Sequence, residues 1–192
     1  MKEKKKKNSK SYLEKNYIKS WNCILESKNY ILMILGFFVL FVLIGALIPT
    51  PEILEQKILE FIENLLNKTE GMSHLELISF IFVNNVQSSF LGMFFGIFFG
   101  IFSAIICLLN GYILGFVAMR SAQIEGIFVL WRLFPHGIFE LPALFLSLGL
   151  GLKLGTFIFQ KNKYISLKTY LRESLRVFLF VIIPLSIIAA II

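Results

Sequence analysis

Residues 77–119 read LISFIFVNNVQSSFLGMFFGIFFGIFSAIICLLNGYILGFVAM, 43 consecutive positions at which only Cys107 and Tyr112 carry an ionisable side chain. A helix in water needs a polar face, and a chain of 192 residues has no soluble core large enough to hide this stretch. The solvent that accommodates it is lipid. Just upstream, Ser73 followed by Glu76 is an S-x-x-E capping box directly before an apolar run, so a helix starts there. From His74 to Met119 is 46 residues, about 69 Å as a single helix against a hydrocarbon core of about 30 Å. That length predicts two spans. A turn at Asn110-Gly111 would leave too little helix before Arg120, so the hairpin corner is placed near Gly96 to Gly100, although no polar turn residue marks it.

The rest of the chain agrees with a membrane protein and speaks against a soluble enzyme. Hydrophobic residues make up 57% of it, above the usual 45–50% of soluble domains, and charged residues only 16%. The charges are segregated. Residues 1–30 hold nine Lys and three Glu, residues 51–76 hold six Glu and two Lys, and residues 161–176 hold five Lys or Arg and one Glu. The reading is an all-α polytopic transmembrane bundle in two parts. Residues 1–29 form a basic cytoplasmic segment with an amphipathic helix (Leu13, Tyr17, Trp21, Ile24 and Lys28 at helical spacing), and residues 30–192 form a single membrane domain. Its five spans are placed at about 30–48, 75–96, 99–119, 135–159 and 177–192. An acidic amphipathic helix over 51–66, with Thr50 as its candidate N-cap and Pro51 in its first turn, lies on the outer surface or against the bundle. A basic amphipathic helix over 163–176 lies on the inner one. The first apolar run has no small-residue cleavage pattern after it, so it is expected to remain as an anchor.

With five spans and a cytoplasmic N-terminus, the acidic 51–76 segment falls outside and the basic 161–176 segment inside, which obeys the positive-inside rule. The expected location is the cell membrane, multi-pass, with the C-terminus outside. The basic N-terminus is then read as contacting anionic headgroups, not nucleic acid. Cys23 and Cys107 imply no disulfide framework and no metal cluster.

Polar residues at membrane depth are the candidate site, because each is costly there. Asn84, Asn85, Asn110, His136 and Glu140 are expected to meet in the outer half of the bundle, as a packing cluster or as a transport site. Arg120 and Arg132 are the expected partners of Glu140. His136 and Glu140 share a helix face, but with His74 distant they are too few for a zinc site. No metal and no cofactor is expected. Helix-packing positions are Gly92, Gly96 and Gly100, Gly111 and Gly115, Gly137, and Gly151 and Gly155, while Pro142 is expected to kink the fourth span. There is no nucleophile with a base, no phosphate loop and no serine triad, so no catalytic residue is assigned.

The run Phe134-Pro135-His136-Gly137-Ile138-Phe139-Glu140-Leu141-Pro142-Ala143 resembles the stage II sporulation protein M family. Val83-Asn84-Asn85, Leu109-Asn110-Gly111 with Gly115, and Gly151 with Gly155 resemble further elements of the family in the same order, and the resemblance covers roughly residues 20–192. It implies a small multi-pass membrane protein. In endospore-forming bacteria the namesake looks like a scaffold that localises cell-wall hydrolases during engulfment. Many relatives come from organisms that make no spores, so the sporulation task itself is not carried across. The family supplies no catalytic residues to transfer.

Two functions follow as expectations. One is a membrane scaffold or assembly subunit that recruits or positions other membrane or envelope proteins. The alternative is a small transporter or channel subunit, which with five spans would work as a homodimer. The odd span count puts the two termini on opposite faces, and labelling both ends in intact cells should reach one of them only. Finding both on the same side would make the count even and remove the depth assignments above.

Overall fold

The structure, a computed structural model, describes residues 11–192, with the side chains of residues 132–136 outside that description. Five helices are long and apolar enough to cross a membrane: Lys28–Leu47, His74–Ile97, Ile101–Glu125, Gly137–Phe159 and Lys163–Ile191. At 1.5 Å per residue the shortest, 20 residues long, covers about 30 Å. In order, the helices are α1 (Tyr12–Glu26), α2 (Lys28–Leu47), α3 (Glu52–Thr69), α4 (His74–Phe94), α5 (Ile101–Glu125), α6 (Phe134–Gly155), α7 (Lys163–Val177) and α8 (Ile183–Ile191). The basic segments α1 and α7 pack together at one end, called here the basic end, while α3 lies at the other, acidic end.

The α4 start is set by its capping box, in which Ser73 Oγ accepts from the Glu76 N–H and the Glu76 carboxylate accepts from the Ser73 N–H. The α3 start differs from the expectation. Thr50 does not cap it; its hydroxyl lies 3.0 Å from the Tyr112 hydroxyl and ties the segment to α5. The chain reverses at the basic end without any polar turn residue. A 3₁₀ turn spans Phe95–Ile97, Phe99 and Gly100 both adopt positive φ (58° and 74°), and the Gly100 N–H donates to the Gly96 carbonyl at 2.7 Å. The corner satisfies its own backbone, so it needs no help from side chains.

Helices α7 and α8 are one continuous rod. The change from charged to apolar residues at Val177 is a change of solvent, not of backbone. The helix widens into a π turn over Phe178–Ile182 just before Pro184, which has no N–H to donate. Helix α5 likewise runs past Arg120 to Glu125, and 3₁₀ turns over Ile127–Leu133 lead into α6.

Helix α6 is the centre of the bundle. Ala143, Leu144, Ser147, Leu148, Leu150 and Leu154 are buried on several of its sides, against α2, α4, α5 and α8. Pro142 stands within this helix, which continues on both sides of it. Two parallel pairs surround it. Helix α5 runs beside α2 at a constant offset of 73 residues: Cys107 Sγ donates to the Ile34 carbonyl, Gly111 lies on Phe38, and Gly115 lies on Val42. The end of α4 and the corner run beside α6, with Gly92 on Leu148, Gly96 on Gly151, and Gly100 between Leu152 and Gly155. Ser103 Oγ donates to the Gly92 carbonyl at 2.7 Å and locks α5 to the same contact. Gly137 has a different environment. Among the described residues it has only an ordinary contact with Leu141 of its own helix, so no close approach of helices is built on it.

A side chain at Gly115 would overlap the Val42 carbonyl, which is backbone and cannot swing away. Gly115→Ala should therefore lose about 1–3 kcal/mol and lower the melting temperature in detergent by several degrees. Gly36→Ala, on the open face of α2 with nothing within 4 Å, should leave it unchanged.

Candidate polar site within the bundle

Asn84, Asn85, Ser88 and Ser89 of α4, Asn110 of α5, Glu140, Ala143 and Leu144 of α6, and Ser186 of α8 line one cavity of about 70 Å³. The α4 contribution follows from helical spacing, since Ser88 and Ser89 lie one turn beyond Asn84 and Asn85 and share their faces. Asn84 is ten residues into α4, about 15 Å from its start, and Asn110 is nine residues into α5, about 14 Å from the opposite end. The cavity therefore sits near mid-depth. It has room for a few water molecules and is well below the 300–1,000 Å³ of a small-molecule pocket.

Hydrogen bonding within it is incomplete. Asn110 Nδ2 donates to the Ile106 carbonyl of its own helix at 2.8 Å, and Ser186 Oγ donates to the Ile182 carbonyl at 3.0 Å. Asn85 Nδ2 is sealed from solvent and has no hydrogen-bond partner among the described residues. A buried donor left unpaired costs about 1–3 kcal/mol, so this amide is the group of the cluster most in need of a partner. Asn84 and Asn110 are exposed, Asn85 and Glu140 half-buried. Beyond the corner α4 and α5 barely touch, so the two exposed amides look out between them.

The sequence-predicted residues thus divide. Asn84, Asn85, Asn110 and Glu140 come together, whereas the side chains of His136 and Arg132 lie outside the described residues. Arg120 does not serve Glu140. Its guanidinium bonds the Glu55 carboxylate of α3 and stands 5.9 Å from the centre of the Phe116 ring, at the acidic end. Neither cysteine is presented to the cavity: Cys107 faces α2, and Cys23 is buried at the basic end, where loss of water pushes its thiol up against the opposing pull of Lys153.

Sequence reasoning missed Ser88, Ser89 and Ser186. The signal for Ser88 and Ser89 was present in their four-residue spacing from Asn84 and Asn85, whereas Ser186, which bonds the Ile182 carbonyl of its own helix, carried none. It also missed Lys153, which is only 7% exposed in the last turn of α6. Its ammonium lies 3.7 Å from a Glu26 carboxylate oxygen and 5.3 Å from the Tyr170 ring centre, and so joins α6 to α1 and α7.

Replacing Asn85 by a leucine of similar size removes an unpaired donor along with its cost. Asn85→Leu should leave the melting temperature unchanged or higher. A drop of several degrees would show that the amide is paired in the folded protein.

The sequence pattern of the family described as Stage II sporulation protein M matches residues 34–192, from the first span to the last residue. Comparison with curated proteins returned no match, and comparison with solved structures returned none either. The match takes in the first span from Ile34 onward, the four later spans and every residue of the mid-depth cavity. On that match this multi-pass helical chain belongs to the stage II sporulation protein M family.

Proposed function

We propose that the chain is a non-enzymatic membrane scaffold, an assembly subunit that recruits or positions partner proteins in the cell membrane through the outward face of α4. The observation that carries this reading is the composition of that face. Glu76, Ser79, Asn84 and Gln87 are exposed along it, among Leu75 and Val83. Amides turned toward hydrocarbon lose their water partners, and the helix of another protein with hydroxyl or amide side chains restores them. Beyond Tyr30 the outward faces of α2 carry no such groups; Met33, Phe37, Leu40 and Leu43 are exposed there and suit lipid. A second support is α3, whose Ile53, Leu59, Phe61 and Leu66 remain exposed beside its glutamates, as a docking element for an envelope protein would.

In this reading the basic end faces the cytoplasm, held by the positive-inside preference and by anionic headgroups, and the acidic end with the C-terminus faces outward. The transporter alternative draws on one observation, the unpaired Asn85 amide beside Glu140 at mid-depth. Its limit is the cavity, which is too small for a solute unless a second conformation or a second copy enlarges it.

A photo-crosslinking residue at Gln87 in native membranes should yield discrete protein adducts that fade when Asn84 is changed to Leu. The same probe at Leu43 should yield lipid adducts only. Lipid adducts alone at Gln87 would end the scaffold reading, and solute or ion flux in vesicles holding the purified chain would replace it with the transporter.

A further inference from the structure

The basic end carries a groove that neither the polar cavity nor the α4 face uses. It runs between α1 and the α7 rod and is lined by Tyr12, Asn16, Lys168, Leu171, Arg172, Leu175, Arg176, Leu179 and Phe180. Two stripes form its α7 wall. Lys168, Arg172 and Arg176 repeat every four residues and so stack along the helix, and Leu171, Leu175 and Leu179 do the same three residues on. Among the described residues no carboxylate lines the groove, and neither arginine nor Lys168 has an ion pair within 4 Å. The neighbouring cleft on the other side of Arg172 and Arg176 is different, because Glu26 and Glu173 line it and offset its cations. The groove itself is therefore lined by three cations and no carboxylate, while the carboxylates nearest Arg172 and Arg176 lie on their other side.

The groove also has a direction. The continuous helix Lys163–Ile191 has 29 residues, about 43 Å, which exceeds a hydrocarbon core of about 30 Å, so its first turns stand in the headgroup layer. Lys168 is at the water end. Leu179 is 59% exposed, Phe180 is half-buried, and both stand where the rod enters the span. The Tyr17 ring meets Phe180 edge-on at 5.8 Å and closes the α1 side. From water toward lipid the lining changes from cationic to leucine and phenylalanine. A phosphodiester headgroup followed by an acyl chain has that same order of charge and apolarity along its length.

We propose that this groove holds one anionic phospholipid, its phosphate on Arg172 and Arg176 with Lys168 at its outer edge, and an acyl chain along Leu175, Leu179 and Phe180. Arg172 can offer a planar fork of donors to the phosphate, and Asn16 supplies a neutral donor from α1 beside its own bond to the Tyr12 carbonyl. The bound lipid would pin α1 against α7 and so set how the basic end sits on the bilayer.

The test is native mass spectrometry of the full-length chain in a neutral detergent, with phosphatidylglycerol and phosphatidylcholine of the same acyl chains. The wild type should retain one phosphatidylglycerol with at least a ten-fold preference over phosphatidylcholine. Arg172→Gln with Arg176→Gln should abolish that preference, while Lys161→Gln with Lys163→Gln, an equal loss of charge outside the groove, should keep it. Leu179→Asn should weaken retention several-fold with the headgroup preference intact. Melting temperatures identify any variant that has failed to fold; should the arginine pair fail, Lys168→Gln, at the exposed edge, must itself lower the preference several-fold. Equal retention of the two lipids, equal loss in both double variants, or displacement of the lipid by millimolar inorganic phosphate would each overturn the proposal. The last result would leave only an anion site without a lipid tail.

Discussion

Close approach of backbones is the constraint from which the remaining structure follows. In lipid, apolar side chains gain little by leaving their solvent for one another, so helices associate through dispersion contacts and short polar bonds that need the main chains near each other. Here the glycines at 96, 151 and 155 bring the α4–α5 corner onto α6, and those at 111 and 115 bring α5 onto α2. At both places the short bonds follow. Ser103 reaches the Gly92 carbonyl, and Cys107 reaches the Ile34 carbonyl. The central position of α6 and the shape of the mid-depth cavity are consequences, because the four helices around the cavity are held where those contacts put them.

The two ends of the bundle are built on different physics. At the basic end, α1 and α7 pack on one another and are tied to α6 through Lys153, a buried cation between a carboxylate and an aromatic ring. At the acidic end, α3 is held loosely, by the Glu55–Arg120 pair, by Ile58, and by Thr50 against Tyr112 in the segment leading to it. An exposed ion pair contributes little, about 0–1 kcal/mol, so the acidic end is the more easily displaced of the two.

The fold class was legible because a run of 43 residues without a formal charge admits one solvent only, and its length fixes two crossings. The corner could be located by length but not by composition. Its turn is made from a 3₁₀ segment and two positive-φ residues, one of them a phenylalanine, and neither leaves a polar signature. The joining of α7 to α8 was not legible either, since hydropathy reports the surroundings of a residue and is silent on whether the backbone continues. In the site, Asn84, Asn85, Asn110 and Glu140 stood out as polar residues in apolar runs, and they line one cavity. The pairing of Arg120 was misread because charge alone does not give height along the bundle. Arg120 lies past the level of Leu47, opposite α3, and Glu55 is nearer to it than the mid-depth cavity is.

The parallel course of α2 and α5 has a consequence for how the molecule is made. Neighbouring spans in a membrane chain usually run antiparallel, and a hairpin can close as soon as its second half emerges from the ribosome. These two helices point the same way and are 73 residues apart, so the chain must cross, turn and return before α2 meets its partner. Until residue 115 has entered the bilayer, the carbonyls of Ile34, Phe38 and Val42 wait without their neighbours, and α2 is an isolated helix in hydrocarbon. Insertion of the first span and its docking are thus separate events in biogenesis, and an insertase that holds early spans would act in the interval between them.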